Sequence, residues 1–458
     1  MLKSLKFFAE HINARMGRVY AVGGSVRDEI LGYAPKDIDV VVFCVGYQEI
    51  CNILKDMHVS FDTVGKSFGV IKAKLSEGTI DIALPRKERS TGVGHKDFEV
   101  EFGSSVTMEE DAARRDFTIN AIYKNVLTGE LVDPLDGVFD CARRVLRVTS
   151  RESFEDDPLR ILRGIQFCAR FGMRVDRHFT LGAMTEHSKL LRSVSPERVA
   201  MELRKLLVKA EKPSVGLQLM DEVGALEIVL PELWALKAIA QPAKFHNADA
   251  FHHTLRVVDA VRPDINMRVA ALFHDLGKVG TKEIDSDGRI TFHGHEAESA
   301  RIGAQVIDAL KLVTLEGFDK DKVLVLVKNH MFSNADKVST RAVRRLVRKL
   351  GGPDMFHDLI QLRIADKIGG ACPHTIYEHV EFLRKSLTII NETPAFSIGD
   401  LAVNGNDIME VLALSSGPEV GVVLRALFEE VENDELENDR EVLLERLVGF
   451  INGGPDEP

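Results

Sequence analysis

The chain has 458 residues, too many for one ordinary domain and enough for about two to four domains with cores of their own. Apolar residues make up 45% of the chain and charged residues 28%, and no apolar stretch approaches the ~20 residues of a membrane span, which excludes a transmembrane protein and indicates a soluble globular one. The net charge of −11 disfavours a nucleic-acid partner at first sight, but the field that a partner meets is local, so charge alone does not exclude one.

The five cysteines are scattered, odd in number and never spaced as CxxC. This usage argues for a reducing compartment and against a structural disulfide or a cysteine-bound zinc. The first residues, "MLKSLKFFAEHINARMG", carry a charge every few positions and lack the apolar run of an export signal. We therefore expect a cytoplasmic protein.

Residues 18–102 are predicted to form short strands separated by turns and one helix. The predicted strands are rich in β-branched residues and either alternate or run apolar. They are "RVYAVGG", "DIDVVVF", "FGVIKAKL" and "TIDIALP".

From about residue 107 onward the apolar spacing becomes helical and is predicted to stay so. The segment "DPLRILRGIQFCARFG" ends at Gly172, a typical C-terminal signal, and "SPERVAMELRKLLVKA" begins with a serine suited to cap a helix and a proline at the first helical position. The predicted fold class is therefore α+β, a small α/β head followed by an all-α body. Two of the predicted helices are basic, at 198–209 and 341–349, and a solvated face or an RNA-contacting stripe explains them equally well.

Asp37 and Asp39 lie two residues apart on a predicted strand, so their side chains point the same way. Two close carboxylates repel each other unless a cation lies between them, and Mg²⁺ prefers oxygen ligands. Upstream, a glycine pair lets the backbone approach a phosphate at the start of a helix whose first turn carries Arg27. The combination predicts a triphosphate site with two Mg²⁺ ions that activate a hydroxyl and neutralise a leaving pyrophosphate. A later strand carries Asp81, which could add a third acidic group but is better explained as a surface residue.

The string "VGGSVRDEILG…KDIDVVV" resembles the head signature of the class II nucleotidyltransferases, the polymerase-β-like group that contains bacterial CCA-adding tRNA nucleotidyltransferases and bacterial poly(A) polymerases. "RRDFTINAI", "DPLDG" and "DDPLRILR" follow in the family's order, so the resemblance covers about residues 18–210. It implies that Asp37 and Asp39 bind the catalytic metals. It also implies nucleotide contacts by Gly24, Arg27 and Arg115.

If Pro158 is the first residue of its helix, Asp157 is the N-cap, and Arg160 and Arg163 lie on one face in line with it. A carboxylate accepts from an exocyclic amine, and a guanidinium donates to a ring nitrogen or a carbonyl. Cytosine and adenine both offer an amine beside an acceptor, whereas uracil and guanine present a carbonyl there. The aspartate and the arginines therefore form a predicted protein template for C and A.

The resemblance implies the same template, because the family's EDxxR motif falls on Asp156, Asp157 and Arg160, and its next nucleotide-contacting arginine on Arg163. This sequence departs from the family at two positions. Asp156 stands where the family has glutamate, and Gln166 stands where a further arginine is expected. The departures make synthesis of the whole CCA end less secure than nucleotidyl transfer.

A second group of chemistry-bearing residues lies in the helical region 250–370. Mixed imidazole and carboxylate ligands suit a transition metal such as Mn, Fe, Ni, Co or Zn better than Mg, and such an ion can activate water for attack on a phosphoester. The predicted ligands are His253, His274, Asp275, His295, His330 and Asp366. His252 and His293 are the alternatives to their neighbours His253 and His295.

The order H…HD…H…H…D, with "HDLGK" and "GHE", resembles the HD phosphohydrolase superfamily, and a fusion of this domain to a class II head is known among bacterial CCA-adding enzymes. The predicted cofactors are thus Mg²⁺ in the head and a second divalent transition metal (Ni, Mn, Co or Fe) at the HD site. The predicted segments are a nucleotidyltransferase head (1–145), a helical neck with the templating and RNA-binding region (146–245), an HD domain (246–375) and a C-terminal helical tail (376–458).

These features predict a tRNA nucleotidyltransferase that adds or repairs the 3′-terminal CCA from CTP and ATP without a nucleic-acid template, with HD-domain phosphatase or phosphodiesterase activity on RNA 3′ ends. Two alternatives stay open. One is a poly(A) polymerase, although its expected basic C-terminal tail is acidic here; the other is an HD phosphohydrolase whose head only binds RNA. The predicted partners are tRNA, CTP and ATP, with no membrane, and the predicted state is a monomer or homodimer.

Overall fold

The computed structural model describes residues 3–35, 38–63, 69–76, 78–90, 98–103, 105–239, 249–286, 288, 290–332, 340–370, 374–392, 397–433 and 435–452. The chain divides into two units, the first formed by Met1–Trp234 with Asp308–Glu316 and the second by Ala235–Ile307 with Gly317–Pro458. The four predicted segments stay a prediction beside this division. Within the described ranges, no helix is long and apolar enough to cross a membrane.

The first unit is built on a sheet that has seven strands among the described residues, in the order β3-β4-β5-β2-β1-β8-β9. The strands of this unit are β1 (Arg18–Val22), β2 (Asp39–Phe43), β3 (Ser60–Asp62), β4 (Val70–Leu75), β5 (Gly78–Ala83), β6 (Arg86–Ser90), β7 (Phe98–Phe102), β8 (Tyr123–Asn125), β9 (Leu131–Val132), β10 (Val145–Leu146) and β11 (Arg174–Val175). Strand β2 runs parallel to β5 and antiparallel to β1. The pairs β6-β7 and β10-β11 form separate two-stranded sheets.

The helices up to residue 235 follow the same chain order. They are α1 (Lys3–Asn13), α2 (Gly24–Ile30), α3 (Tyr47–Asp56), α4 (Met108–Ala113), α5 (Gly137–Arg143), α6 (Ser153–Asp156), α7 (Leu159–Phe171), α8 (Thr180–His187), α9 (Pro196–Lys209), α10 (Pro213–Glu222), α11 (Leu226–Val229) and α12 (Pro231–Ala235).

Strand β2 is buried on both faces because its residues alternate between two apolar clusters. Val40 and Val42 pack in the cluster formed with α1 and α3, whereas Val41 and Phe43 pack with Tyr20, Tyr123 and Ala112 on the other face. Asp39 belongs by alternation to this second face, the one on which α4 packs. The pleat thus points the predicted catalytic aspartate towards the side of the sheet that carries the arginines after α4.

The second unit is helical apart from a short hairpin among its described residues. Its elements are β12 (Glu283–Ile284), β13 (Ile290–Thr291), α13 (Ala250–Ala260), α14 (Ile265–Phe273), α15 (His295–Ala309), α16 (Lys320–Asn329), α17 (Thr340–Leu350), α18 (Pro353–Gly369), α19 (His374–Glu392), α20 (Gly405–Leu412), α21 (Pro418–Glu432) and α22 (Arg440–Asn452). The last three helices enclose their own apolar cluster, which includes Ile408, Leu427 and Leu443.

The α+β class is confirmed, and so are the four predicted strands and the helix that ends at Gly172, whose φ of 62° is left-handed. The prediction of helix alone after about residue 107 is wrong, because β8 and β9 complete the sheet and β10 pairs with β11. Ser195 occupies the N-cap position of α9 as predicted, but its side chain makes no capping hydrogen bond with the described residues.

Candidate functional site

A cleft of about 260 Å³ lies where the segment after α4, the start of α7 and the start of α9 meet. Five of its eight lining residues are arginines and two are aspartates, so the lining carries a surplus of positive charge that suits an anionic ligand. The lining residues are Arg114, Arg115, Asp116, Asp157, Leu159, Arg160, Arg163 and Arg198. The cleft therefore brings together four of the predicted nucleotide-binding residues.

Two of these arginines are held by one buried carboxylate, that of Asp111 on α4. Its Oδ1 accepts from Arg114 Nη2 at 2.6 Å, and its Oδ2 accepts from Arg115 Nη2 at 2.8 Å and from the Tyr123 hydroxyl at 2.7 Å. Burial alone would raise the pKa of Asp111, but the charges of Arg115 and Arg114 lower it to about 2. Asp111 is therefore ionised at neutral pH and fixes both arginines at the edge of the cleft.

Arg160 and Arg163 are also oriented by fixed partners. Arg163 donates through Nε and Nη2 to Asp116 Oδ2 at 3.0 and 2.8 Å, and the charge of Asp116 raises the pKa of Arg163. Arg160 donates through Nη1 to the Ser153 hydroxyl at 2.6 Å and through Nη2 to the backbone carbonyl of Arg114 at 2.9 Å. Both guanidinium groups are thus set in place before a ligand arrives.

Asp157 lies at the start of α7, and its two oxygens have different partners. The helix begins at Leu159, one residue later than predicted, although Pro158 already has helical dihedral angles (φ −59°, ψ −21°). Asp157 Oδ1 accepts from the Leu159 N–H at 3.3 Å, and Oδ2 accepts from Arg198 Nη2 at 2.7 Å. The expected capping contact is present, and Arg198 adds a second anchor from α9.

The glycine turn between β1 and α2 lies close to the cleft residue Arg115. Gly23 has a φ of 78°, in the left-handed region that favours glycine, and Gly24 is the first residue of α2. A Cβ atom built on Gly23 would lie 3.9 Å from Arg115 Nη1. The turn and the arginine are therefore near enough to contact one ligand.

Arg27, on α2, is buried between α2 and α7. Its guanidinium carbon lies 4.7 Å from the ring centroids of both Phe167 and Phe171, which is a double cation–π contact. Its Nη1 donates to Asn120 Oδ1 at 2.8 Å and its Nε to Asp28 Oδ1 at 2.9 Å. The nucleotide contact of Arg27 stays a prediction. The observed contacts with Phe167 and Phe171 connect α2 to α7, the helix that carries Arg160 and Arg163.

Asp39 is exposed at the start of β2, and its parallel partner in the register of β5 is Asp81. Asp81 Oδ1 also lies 3.9 Å from Lys72 Nζ. Asp37, the other predicted metal ligand, lies outside the described residues. Carboxylate oxygens are the ligands that Mg²⁺ prefers, so the donors on this edge of the sheet fit that ion.

Gln166, where the family pattern has an arginine, is buried in α7. Its Oε1 accepts a hydrogen bond from Nη1 of Arg170, one helical turn further on, at 2.9 Å. Arg170 in turn lies over the ring of Phe171, with 4.8 Å from its guanidinium carbon to the ring centroid. The missing cation is therefore not restored within the cleft, because Arg170 is not among the lining residues.

In the second unit, the structure brings together all six predicted HD-site residues. We call them the histidine–aspartate cluster, and each is at most 9% exposed. They come from α13, α15 and α18 and from the residues that directly follow α14 and α16. The members are His253, His274, Asp275, His295, His330 and Asp366.

Asp275 lies between two pairs of histidines. Its Oδ2 is 3.2 Å from His274 Nε2 and 3.6 Å from His253 Nε2, and its Oδ1 is 3.4 Å from His295 Nε2 and 4.0 Å from His330 Nε2. Two groups of potential ligands, each within 4.8 Å, thus share this one carboxylate. Mixed imidazole and carboxylate donors in this number fit one or two divalent transition-metal ions.

Three histidines of the cluster present the same ring nitrogen inward. Nδ1 of His274, His295 and His330 lies 2.7–2.8 Å from the backbone carbonyl three residues earlier, a contact in which Nδ1–H donates. In the neutral form of each ring, Nε2 then has a lone pair that faces the cluster, as a metal ligand requires. Burial, followed by the neighbouring His274, lowers the pKa of His330 to about 3, so this ring is neutral near pH 7.

The two alternatives from the sequence lie outside the cluster. His252 is exposed and contacts Asp249, with 2.9 Å between Nδ1 and Oδ1, and His293 is exposed. The spacing alone left both pairs open, because adjacent or near-adjacent histidines differ only in the helix face that they occupy.

Several residues that complete these sites received no role from the sequence. Asp116 and Asp111 lie within or just before "RRDFTINAI", Arg198 lies in the first turn of α9, and Lys278 lies in "HDLGK". Lys278 Nζ is 2.7 Å from Asp275 Oδ2. The motif strings contained a signal for Asp116 and Lys278, whereas the partners of Arg198 and Asp111 depend on tertiary packing.

The basic segment 341–349 is explained in part by contacts within the second unit. Arg344 Nη1 donates to the backbone carbonyl of Glu432 at 3.2 Å, and Arg348 Nη1 to the Glu432 carboxylate at 2.8 Å. Both arginines therefore stabilise the C-terminal turn of α21. Arg345 and Lys349 are exposed, and among the side chains that the structure describes in this segment they are the candidates for an RNA-contacting stripe.

Comparison with known proteins assigns the chain to a family. The "Poly A polymerase head domain" profile matches residues 19–147, the "HD domain" profile matches 250–370, and the "tRNA nucleotidyltransferase domain 2 putative" profile matches 364–447. The "Multifunctional CCA protein" of Burkholderia orbicola (strain MC0-3) is 33% identical over 430 residues, which span 89% of this chain and 98% of that protein. The chain belongs to the multifunctional CCA protein family. It is a nucleotidyltransferase.

A second member, from Nitrosospira multiformis, is 38% identical over 62% of this chain and 67% of its own length. Among solved structures, the Bacillus stearothermophilus CCA-adding enzyme in complex with CTP superposes with a TM-score of 0.67 at 23% identity, covering 99% of this chain and 98% of that one. The Thermotoga maritima CCA-adding enzyme complexed with tRNA has a TM-score of 0.60 at 21% identity, with coverage of 98% and 96%. These two likenesses show that the fold is shared along nearly the whole chain.

Proposed function

We propose that this protein adds or repairs the 3′-terminal CCA of tRNA from CTP and ATP without a nucleic-acid template, releasing pyrophosphate in the cytoplasm. The observation that carries the proposal is the cleft in which Asp157, Arg160 and Arg163 lie beside Arg115. A set of fixed hydrogen-bonding groups at the edge of a cationic cleft is what a protein needs to select a base and hold its triphosphate. Membership of a family of CCA proteins supports the same activity.

Base selection would follow from the groups that Asp157 and Arg160 offer. A carboxylate has about four acceptor sites. The two contacts of Asp157 with Leu159 and Arg198 therefore leave it able to accept from the exocyclic amine of cytosine or adenine. Uracil or guanine would set a carbonyl against that carboxylate, an unpaired arrangement that costs about 1–3 kcal/mol. In this proposal the carboxylate of Asp157, whose position Arg198 fixes, selects C and A over U and G, and Arg160 donates to the ring nitrogen or carbonyl of the base.

The triphosphate would be held by the turn at Gly24 and by Arg115, with Arg27 as the third contact that the family resemblance implies. Asp37 and Asp39 would hold Mg²⁺, which when bound supplies the charge that activates the tRNA 3′ hydroxyl and stabilises the leaving pyrophosphate. Arg115 is suited to its part because Asp111 and Tyr123 fix its guanidinium through Nη2 and Nε while Nη1 lies near the glycine turn.

The test is extension of a tRNA that ends before CCA. The protein is incubated with Mg²⁺ and CTP, ATP or both, and the 3′ ends are sequenced. We expect CC from CTP alone and CCA from both nucleotides. The variant Asp157→Ala should lower kcat/KM for both nucleotides by about 10- to 100-fold, the equivalent of ~1–3 kcal/mol, whereas exposed Asp56→Asn should not.

Runs of A from ATP alone would instead identify a poly(A) polymerase. No extension under any of these conditions would remove the proposal, and equal incorporation of UTP and CTP would remove the assigned role of Asp157. The acidic C-terminal region favours CCA addition over the poly(A) alternative.

We also propose that the histidine–aspartate cluster makes the second unit a phosphohydrolase that acts on RNA 3′ ends with a divalent transition metal. The observation that favours it is the sharing of Asp275 between two ligand groups. A metal held there would supply a Lewis acid for phosphoester hydrolysis. Protein stripped with a chelator should regain hydrolysis of RNA that ends in a 3′-phosphate or 2′,3′-cyclic phosphate when Ni²⁺, Mn²⁺ or Co²⁺ is added. Absence of hydrolysis with every metal would contradict it.

A further inference from the structure

Each of the two carboxylates in the histidine–aspartate cluster has a basic side chain of its own. Lys278 lies against Asp275, and Arg363 lies against Asp366. Arg363 is on α18, one turn before Asp366, and is 9% exposed. A buried guanidinium this close to a potential metal ligand calls for an explanation, because it is a second cation beside the same carboxylate.

The contacts of Asp366 divide its two oxygens between different partners. Oδ2 accepts from Arg363 Nη1 at 2.9 Å. Oδ1 lies 3.1 Å from His253 Nε2 and 4.0 Å from His274 Nε2. One oxygen therefore faces the imidazoles of the cluster, and the other faces the guanidinium.

The hydrogen bonding of Arg363 itself does not account for this position. Its Nη1 also lies 3.2 Å from the Met331 sulfur, a weak acceptor, and its Nε has no partner among the described residues. A buried N–H without an acceptor is destabilising. The strong contact of this side chain is thus the one with Asp366.

We propose that Arg363 is a positioning residue of the metal centre, which presents a single oxygen of Asp366 to the ion. The inference rests on the proposed metal-dependent function of the second unit. Carboxylates can bind a divalent ion with one oxygen or with both, and a charge-assisted hydrogen bond to Oδ2 favours the first mode. The guanidinium also places a fixed positive charge beside the cluster, which suits the anionic phosphoester of an RNA end.

The experiment is a Co²⁺ titration of the full-length protein after chelation, followed by its visible absorption spectrum. Arg363→Met frees Oδ2, so we expect the variant to bind Co²⁺ with an altered absorption band. Its hydrolysis of 3′-phosphorylated RNA should fall about 10- to 100-fold, the usual range for a group that orients a metal ligand. Arg363→Lys keeps one donor and should restore most of the wild-type spectrum and rate. Exposed Arg301→Met is the matched control on α15 and should leave both unchanged.

Wild-type spectrum and rate in Arg363→Met would overturn the inference. If that variant does not fold, as judged by its thermal melting without metal, Arg363→Gln takes its place. An altered Co²⁺ band and a lower rate are again expected, and wild-type values would again overturn the inference. A wild-type protein that takes up no Co²⁺ would instead remove the metal centre itself, a result that is distinguishable because it appears before any variant is made.

Discussion

At the scale of single residues, Asp111 positions two arginines of the cleft without lining it. It is fully buried and accepts hydrogen bonds from two guanidinium groups, a hydroxyl and a backbone N–H, that of Arg86 at 3.2 Å. Removing one partner of a buried ionic group is costly, because the remaining charge is left without compensation. The carboxylate therefore stabilises the fold and positions Arg115 at the same time.

We predict that Asp111→Asn lowers the free energy of unfolding by about 3–5 kcal/mol at neutral pH, since Arg114 and Arg115 lose their counter-charge. The folded-state pKa of Asp111 is about 2, against an ordinary value of 3.8. Its ionised form therefore stabilises the fold above about pH 4, and this contribution is lost as the pH falls towards 2. The difference between wild type and variant should shrink by about 2 kcal/mol across that interval.

Urea unfolding at several pH values between 5 and 2.5 measures this difference. Exposed Glu109→Gln, on the same helix, is the control and should show no such trend. A difference that is constant with pH would mean that the carboxylate of Asp111 is not the titrating group.

At the scale of elements, the turn after α14 packs directly against the first turn of α15. A Cβ built on Gly277 would lie 2.3 Å from the carbonyl oxygen of His295 and 2.6 Å from the Ser299 amide nitrogen. The Gly277 N–H also donates to the Ser299 hydroxyl at 2.8 Å. This close approach of two backbones keeps His295 next to Asp275, which precedes the glycine by two residues.

We predict that Gly277→Ala pushes α15 away from the turn and separates His295 from Asp275. Overpacking of this kind costs about 1–3 kcal/mol. The stoichiometry of Co²⁺ uptake should fall, while addition of CCA to tRNA should persist. Gly280→Ala, in the same turn, is the control, because its added Cβ would meet no atom closer than 3.9 Å. Equal metal uptake by the two variants would contradict this account of the turn.

At the scale of the whole molecule, the sequence predicted those features that have a long period or a dense motif. The helix α7 spans 13 residues with an apolar face, and four of the strands are runs of β-branched residues. Strands β8 and β9 were missed because two or three residues are too short to show alternation, and they join the sheet only through their partners β1 and β8.

The sites follow the same division. The metal-type ligands were predictable because six side chains of the right chemistry stand in a known order, although the sequence could not separate His253 from His252. The sequence does not predict Arg198 and Arg363, because the role of each arginine depends on the carboxylate that it contacts. Arg198 contacts Asp157, 41 residues away along the chain, and Arg363 contacts Asp366, three residues away. The pairing of Arg198 with Asp157 depends on how α9 packs beside the start of α7, which a single sequence does not encode locally. Arg363 and Asp366 share one face of α18, but their i,i+3 spacing alone does not show that the pair adjoins four histidines.

The two sites use residues of different units and share none, so we predict that their activities can be removed separately. Asp39→Asn should lower nucleotide addition by about 100-fold or more, because metal-stabilised charge is worth several kcal/mol, and should leave hydrolysis of 3′-phosphorylated RNA intact. His274→Ala should have the opposite pattern. In the double variant, each activity should fall by the same factor as in the single variant that affects it. Parallel assays of the three variants on the same tRNA, with and without a 3′-phosphate, test this independence. Loss of hydrolysis in Asp39→Asn would mean that the head contributes to the second reaction, because a single conservative change in an exposed carboxylate should not unfold a separate unit.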